Sequence, residues 1–415
     1  MGRRADYLLL VVSADGANIL CDPIGATDPI TGKPGWRRIE LGPRAKQVGA
    51  GKFEVAAVPA IMAAVETPGA RIVARRVLDD GSGTEVVMSG PIEQPTGNYQ
   101  AERDSRDGYG TLSVQFADDL ALMSHHLVYP NPAQASTAQT VARYSVAAVN
   151  PETVTRNLVN LNAGPGALAA RRVPGLTLAA AAGLYPGTTI STSWTRDTIL
   201  TDALRDVDKL AVATGGLGIG FRALQVGLGI QFQTYAPQDL SAKVIFSRAM
   251  GNVAELDYSV IAPTATVALV GDATAGVGRV IRERINAAAI TAGWPRIEMF
   301  VDARGAANST EMDQTGDQAL ADYGPRARVT VKGIDTAQTR YGYAFGRDDQ
   351  VSVQPYDGGP FVSARCLGAD IVVTPEAGET VNPIIGTDDD GIVFDAKAAE
   401  IRAIWRSLGK LQGAL

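Results

Sequence analysis

Reactive side chains are scarce in this chain. Its 415 residues hold two cysteines, Cys21 and Cys366, and two histidines, His125 and His126. Two cysteines so far apart are too few for a disulfide framework or a zinc site, and both read as small buried apolar residues. Adjacent histidines point to opposite faces of a strand, or lie about 100° apart on a helix, so they do not converge on one metal ion. Ser124 beside them lacks the G-x-S-x-G setting of a nucleophile elbow. A strong charge of either sign is missing too. The net charge is −6 with 20% charged residues. Basic residues come in pairs (Arg37-Arg38, Arg75-Arg76, Arg171-Arg172), which read as solvated surface or local ion pairs.

Long apolar runs are also absent: none approaches the roughly 20 residues that cross a bilayer. The opening MGRRADYLLLVVSADG has an apolar core, 7–12, shorter than the roughly 7–15 residues of a signal-peptide core. Asp15 follows it, so a first strand is expected. Phosphate-binding loops fail on order or spacing. GGLGIGF at 215–221 follows a helical pattern and precedes a strand, the reverse of a dinucleotide turn. Gly271 and Gly276 have Walker spacing, but Val277 stands where lysine is needed. Asp388-Asp389-Asp390-Gly391 resembles part of an ion-binding loop without its alternate spacing or its closing glutamate, and a solvated turn is the preferred reading. Catalytic, cofactor-binding and metal-ligating residues are therefore all predicted to be none.

Turn residues and short apolar runs are plentiful. With 46% hydrophobic residues, 45 glycines and 22 prolines, the chain reads as many short strands divided by turns, in roughly two to four domains. Strands are expected at 7–12, 36–41, 53–58, 70–77, 85–89 and 111–116, with a short helix opened by Pro59 and a polar loop over 94–110. Helices are expected at 118–124 and after Asn150-Pro151, where a capping residue meets a first-turn proline. The Ala/Gly/Leu stretch GPGALAARRVPGLTLAAAAGLYPG reads as an extended arm. A helix over 196–213 carries Leu200, Ala203, Leu204, Val207, Leu210 and Ala211 on one stripe and stops at Gly215-Gly216. Strands follow at 217–224, 229–235, 243–247, 266–270, 277–285 and 295–302, then a helix at 310–323 and strands at 328–333, 350–355, 361–366 and 369–374.

Asp395 caps a last amphipathic helix with Ala398, Ile401, Trp405 and Leu408 on one face. That face either packs on its own domain or docks a partner through Ile401, Trp405 and Leu408. Residues 70–116 and 326–374 share an order of features, which is either an internal duplication or the chance likeness of two all-β segments.

Several segments carry a family resemblance. PQDLSAKVIFSRAMGN followed by VALVGDATAGVGR, with Asp239, Ser241, Val244, Phe246, Ser247, Gly251, Asn252, Gly271 and Arg279, resembles the siphophage minor tail proteins of the gene-product-thirty-seven-like type, relatives of phage baseplate hubs. LSVQFADDLALMSHHLVYPNP, PRIEMFVDARG and RYGYAFGRDDQVSVQ resemble further segments of that family in the same order. His125-His126 replaces part of a usual basic stretch, and Arg347 with Asp348-Asp349 adds a residue to one turn.

The resemblance implies an α+β, mainly β fold of tail-hub type: two tube-type β-barrel domains with smaller α/β domains inserted. The implied division is a first barrel at 1–116, a mixed domain at 117–222, a β-rich domain at 223–305, a second barrel segment at 306–380 and a C-terminal segment at 381–415. The implied role is structural and non-enzymatic: a tail-tip hub, made in the host cytoplasm, whose homotrimer adapts a sixfold tail tube to a threefold tip. Implied partners are the distal tail or tail tube protein, other tip proteins and the tape measure protein, with DNA only in transit and no membrane insertion. The rival reading is a tail protein that binds or degrades cell-wall carbohydrate.

Overall fold

The computed structural model describes residues 7–25, 36–77, 83–98, 110–274, 278–306, 308–324, 326–336 and 338–386. The amino-terminal part comprises β1 (Tyr7–Val12), β2 (Ile19–Cys21), β3 (Trp36–Gly42), β4 (Ala50–Ala56), α1 (Pro59–Val65), β5 (Arg71–Val77), β6 (Thr84–Asn98) and β7 (Thr111–Ala117). Alternation along these strands sets the inner face. In β4, Gly51, Phe53 and Val55 are buried while Lys52 and Glu54 are half-buried, the period-two pattern of a sheet with one face in the core. Pro59 supplies the fixed φ of a first helical turn, so α1 starts there.

A helical unit follows: α2 (Leu120–Ser124), β8 (Arg143–Val149), α3 (Pro151–Asn162), β9 (Leu176–Leu178), β10 (Ile190–Thr195), α4 (Leu200–Ala213), β11 (Gly220–Val226) and β12 (Gly229–Tyr235). The side chain of Asn150 accepts the Thr153 N–H and caps α3. Next come β13 (Ile245–Phe246) and β14 (Val253–Ile261), then a small unit of β15 (Val267–Gly271), β16 (Ile281–Ile285), α5 (Ala287–Thr291), β17 (Glu298–Asp302) and α6 (Ser309–Tyr323). The chain then runs through β18 (Arg326–Gly333), β19 (Gln350–Val353), β20 (Val362–Thr374) and β21 (Gly378–Gly386).

The amino-terminal strands and the last strands belong to one 13-stranded sheet, ordered β14-β18-β21-β20-β3-β4-β7-β6-β5-β1-β2, with β13 and β19 attached beside β20. The join is antiparallel, Ile371 opposite Leu41 and Val373 opposite Ile39. Among the described residues this path has two ends, β14 and β2, rather than a closed ring. A single core crosses the join: Leu9, Ile39, Phe53, Val114 and Phe116 pack in the same cluster as Phe246, Val331, Val351, Ile371 and Ile385. Burying a residue of this size stabilises the fold by roughly 1.5–3 kcal/mol. The helical unit has its own core around Leu158, Leu204, Phe221 and Phe232. The small unit packs Ala268 and Val270 against Met312 and Leu320 of α6.

Several expectations need correction. The 94–110 loop starts later, because β6 runs to Asn98 and pairs there with β7. The arm is no free extension: Val173 and Leu176 are buried, and β9 lies parallel to β12. The 196–213 helix begins at Leu200. Strands at 361–366 and 369–374 are one strand, β20, with a bulge between Cys366 and Gly368 that preserves the apolar alternation. Strands β2, β8, β10, β14 and β21 were not expected. The terminal helix, with Ile401, Trp405 and Leu408, and the turn at Asp388 lie outside the described residues.

Candidate functional site

Lysine and arginine are rarely sealed from water unless paired. Here Lys46 and Arg71 are each only 1% exposed. Both sit where the large sheet meets the helical unit, and together with nearby charges they form a buried ionic seam.

Lys46 lies in the turn between β3 and β4. Its ammonium donates to Asp208 of α4 at 2.8 Å and lies 3.1 Å from Asp348, just before β19. Burial alone would lower its pKa, but the two carboxylates outweigh it and hold the pKa above the ordinary lysine value. Burial raises the Asp208 pKa against the pull of Lys46. Each acid has a second donor: the Ile219 N–H reaches Asp208 at 2.8 Å, and the Tyr235 hydroxyl reaches Asp348 at 2.6 Å. Burial, with Asp348 close by, raises the Tyr235 pKa far above its usual range. Gly218 is required here. It has φ +85°, and a Cβ would lie 2.1 Å from the Asp208 carboxylate, so only glycine lets the chain turn over that group.

Arg71, the first residue of β5, grips Asp119 with Nε at 3.0 Å and Nη2 at 2.6 Å from one carboxylate oxygen and 2.5 Å from the other. Its third nitrogen donates to Gln225 of β11 at 2.7 Å. Ser89 of β6 donates to Asp119 at 2.5 Å and accepts the Gln225 N–H at 2.7 Å, while the Gln225 amide donates to the Gly16 carbonyl at 3.0 Å. Two side chains, Arg71 and Ser89, thus hold the Asp119 carboxylate, Arg71 through the planar fork that suits arginine, and Gln225 ties both of them to the Gly16 turn.

Between these clusters lies a cavity of about 10 Å³, lined by Arg44, Ser89, Asp118, Phe221, Arg222 and Arg347 among others. That is room for about one water molecule. Arg44 reaches Asp370 at 2.6 Å and the Ala369 carbonyl at 2.7 Å. Asp118 accepts the N–H groups of Gly49 at 2.9 Å and Leu120 at 3.0 Å, yet burial still pushes its carboxyl up to about 7. Burial, then the neighbouring Arg347, lowers the Arg222 pKa. A third buried contact ties the two halves of the sheet together. Arg76 of β5 lies 2.7 Å from Glu379 of β21, and the Tyr7 hydroxyl donates to the same Glu379 at 2.5 Å.

Sequence reasoning missed this seam. It read Arg75-Arg76 as surface or local pairing, but Arg76 is 3% exposed and its partner is more than three hundred residues away in sequence. The one available signal was position: Arg71 and Arg76 stand inside a run, RIVARRV, otherwise apolar enough for the core. Of the residues weighed for chemistry, His126 has both ring nitrogens against carbonyl oxygens, of Leu122 at 2.8 Å and Arg171 at 3.0 Å. Cys366 is buried, Cys21 half-buried, and both are free thiols. GGLGIGF lies between α4 and β11, helix before strand. Among the described residues, no group of three His, Cys, Asp or Glu side chains is placed to hold a metal ion.

The sequence matches the model of a family described as Siphovirus ReqiPepy6 Gp37-like protein over residues 31–387. No curated protein matches it. Among solved structures, the prophage MuSo2 43 kDa tail protein from Shewanella oneidensis is similar with TM-score 0.53 at 12% identity, over 91% of this chain and 97% of that one. The tail protein from Neisseria meningitidis MC58 is similar with TM-score 0.50 at 13% identity, over 92% and 97%. Identities this low carry the shared fold and nothing finer.

Proposed function

We propose, from the premise that this chain belongs to the Siphovirus ReqiPepy6 Gp37-like family, that it is a structural hub at the tail tip, three copies of which form a ring around the channel for DNA and tape measure protein. The observation that carries this reading is the single sheet shared by the first and the last described strands. Strands β1–β7 and β18–β21 share one core and one ladder across β3 and β20. In this reading, residues 1–116 and 306–380 are two tube-type elements held rigidly in one subunit. Three subunits then present six such elements to a sixfold tube while keeping threefold symmetry toward the tip.

Two features support a scaffold over a catalyst. The sheet path ends on β14 and β2, and strand edges of that kind are stabilised by pairing with neighbours. The seam turns its charges on one another around a space for about one water, which suits locking units together more than admitting a substrate. The partners in this reading are a distal tail or tube protein above the ring and other tip proteins below it.

The test is the mass of the purified chain together with an image of the assembled particle. Three times 43.4 kDa, and density at the adsorption end of the tail, are expected. Placement of the chain anywhere else in the particle overturns the proposal, as does hydrolysis of purified cell wall by the isolated chain.

A further inference from the structure

The small unit between β14 and β18 is a three-stranded sheet with α6 on one face. Arg282 and Arg284 of β16 reach across that face to Asp313 and Asp317 of α6, at 2.6 and 2.7 Å. Gly316 lets the helix lie close, since a Cβ there would come within 2.6 Å of Val270 and Arg284. The opposite face is mixed: Arg296 pairs there with Glu283 and Glu298, and Arg279 pairs with Asp302 at 3.0 Å and lies 4.8 Å from the centre of the Phe300 ring, beside exposed apolar residues. Ile281, Ile285 and Phe300 are 47%, 51% and 53% exposed. They flank Leu269 of the central strand, since Leu269 lies opposite Phe300 and Gly271 opposite Ile281.

The central strand reads VALVG, apolar toward both sides, and its pairing with β17 is parallel. Continuous apolar runs and parallel pairs belong to sheets covered on both faces. Among the described residues α6 covers one face, while on the other Val267 is buried and Leu269 half-buried.

The direction in which β21 ends points to what completes the cover. Gly386 lies opposite Thr330, and Ile384 opposite Lys332, in antiparallel pairing. At Gly386, β21 is therefore heading along β18 toward Arg326. That is the end of β18 from which the small unit hangs, because α6 finishes at Tyr323. Residues 387–394 can reach at most about 28 Å. After them comes DAKAAEIRAIWRSLGK, 395–410, with Ala398, Ile401, Trp405 and Leu408 at helical spacing. Sixteen helical residues span about 24 Å, enough to cross a sheet whose five-residue strands are about 17 Å long.

We propose that segment 395–410 of the same chain docks on the face of the small sheet opposite α6, seating Ile401, Trp405 and Leu408 against Leu269, Ile281, Ile285 and Phe300. The C-terminal segment then clamps the small unit to the last strand of the main sheet.

The test replaces Phe300 with photo-reactive benzoylphenylalanine in the full chain and, as a second site that guards against a local folding fault, Ile285. Each is prepared as a co-expressed mixture of isotopically light and heavy chains and mapped by mass spectrometry. Cross-links to peptides containing 398–408 within one isotope class are expected. Trp405→Ala should lower their yield about tenfold, the ratio given by a loss of roughly 1.4 kcal/mol, while the far-ultraviolet spectrum holds. Mixed-isotope pairs would show a second copy on the face, and cross-links appearing only to other proteins of the particle would show a partner. Either result overturns the proposal, as does the absence of any link to 395–410 from both positions.

Discussion

Replacing Lys46 with methionine tests the ionic seam most directly. The side chain is buried among Asp208 and Asp348, whose own side chains are 5% and 1% exposed. Methionine fills a similar volume but leaves two carboxylates facing each other without a cation. Each keeps one donor, the Ile219 N–H or the Tyr235 hydroxyl, which satisfies geometry but not charge. Removing one partner of a buried ion pair costs about 3–5 kcal/mol. The loss should be full at pH 8 and smaller at pH 5. The sign follows from Asp208, whose folded pKa burial already raises and the substitution raises further. Its folded form then binds a proton where its unfolded form does not, so stability rises as pH falls through that window. Urea unfolding should be followed by tryptophan fluorescence and by circular dichroism, because a chain with three cores can unfold in more than one step. The triple variant Lys46→Met, Asp208→Asn, Asp348→Asn should regain most of the loss, since an uncharged filling of such a site is often neutral. A cost below about 1 kcal/mol for Lys46→Met at pH 8, the level of an exposed pair, would refute the seam. So would a cost that grows on acidification.

Asp118, with a folded pKa of about 7 against 3.8 for the free side chain, binds its proton more tightly in the folded state. Stability should therefore fall as pH rises from 4 to 7, by about 1.4 kcal/mol per unit at most. Asp118→Asn, whose one oxygen can accept from Gly49 or Leu120 but not both, should flatten that slope in denaturation midpoints taken across the range, at some loss of stability throughout. Arg71→Met should cost about 3–5 kcal/mol by stranding Asp119, and Arg71→Lys should recover little, because a lysine cannot reproduce the fork to Asp119 and Gln225; urea midpoints of both variants check this. Gly316→Ala adds a methyl 2.6 Å from Val270 and Arg284. Overpacking of about 1–3 kcal/mol should exceed the roughly 1 kcal/mol gain in helix propensity, so thermal unfolding should come earlier.

Strands with strict alternation were legible in the sequence, and the ones that were missed share physical reasons. In β14, VAELDYSVI places acids between its apolar residues at an edge of the sheet, and Leu256 and Tyr258 are only half-buried against the core. The pattern is that of an exposed ribbon, and only its pairing with β18 makes it a strand. In β21, GETVNPIIG carries Pro383, which argues against a central strand. The structure accommodates it where the ladder with β18 begins, at Ile384, next to the bulge that offsets β20. Among the described residues, strands β8 and β10 pair only with each other, and β8 packs just Tyr144, Val146 and Val149, half-buried, against the helical core, too weak an apolar period to stand out between its exposed neighbours.

The seam was illegible for a different reason. Arg71 and Asp119 are 48 residues apart, and Lys46 and Asp208 are 162. No local pattern records a pairing that the tertiary fold creates, and the residues look like ordinary surface charges until both partners are buried. A purely apolar contact between the helical unit and the sheet would tolerate sliding by a residue or rotation by a few degrees. A guanidinium fork on Asp119 with a third bond to Gln225, and an ammonium held between Asp208 and Asp348, tolerate neither, because a displaced charge is left dry and unpaired. For a subunit whose proposed work is to hold one geometry between two symmetries, that intolerance is useful. It also makes the role separable from bulk stability: the triple variant, neutral and well packed, should fold yet build rings less uniformly. Equal ring uniformity in images of the two assembled proteins would remove the link between the seam and the assembly.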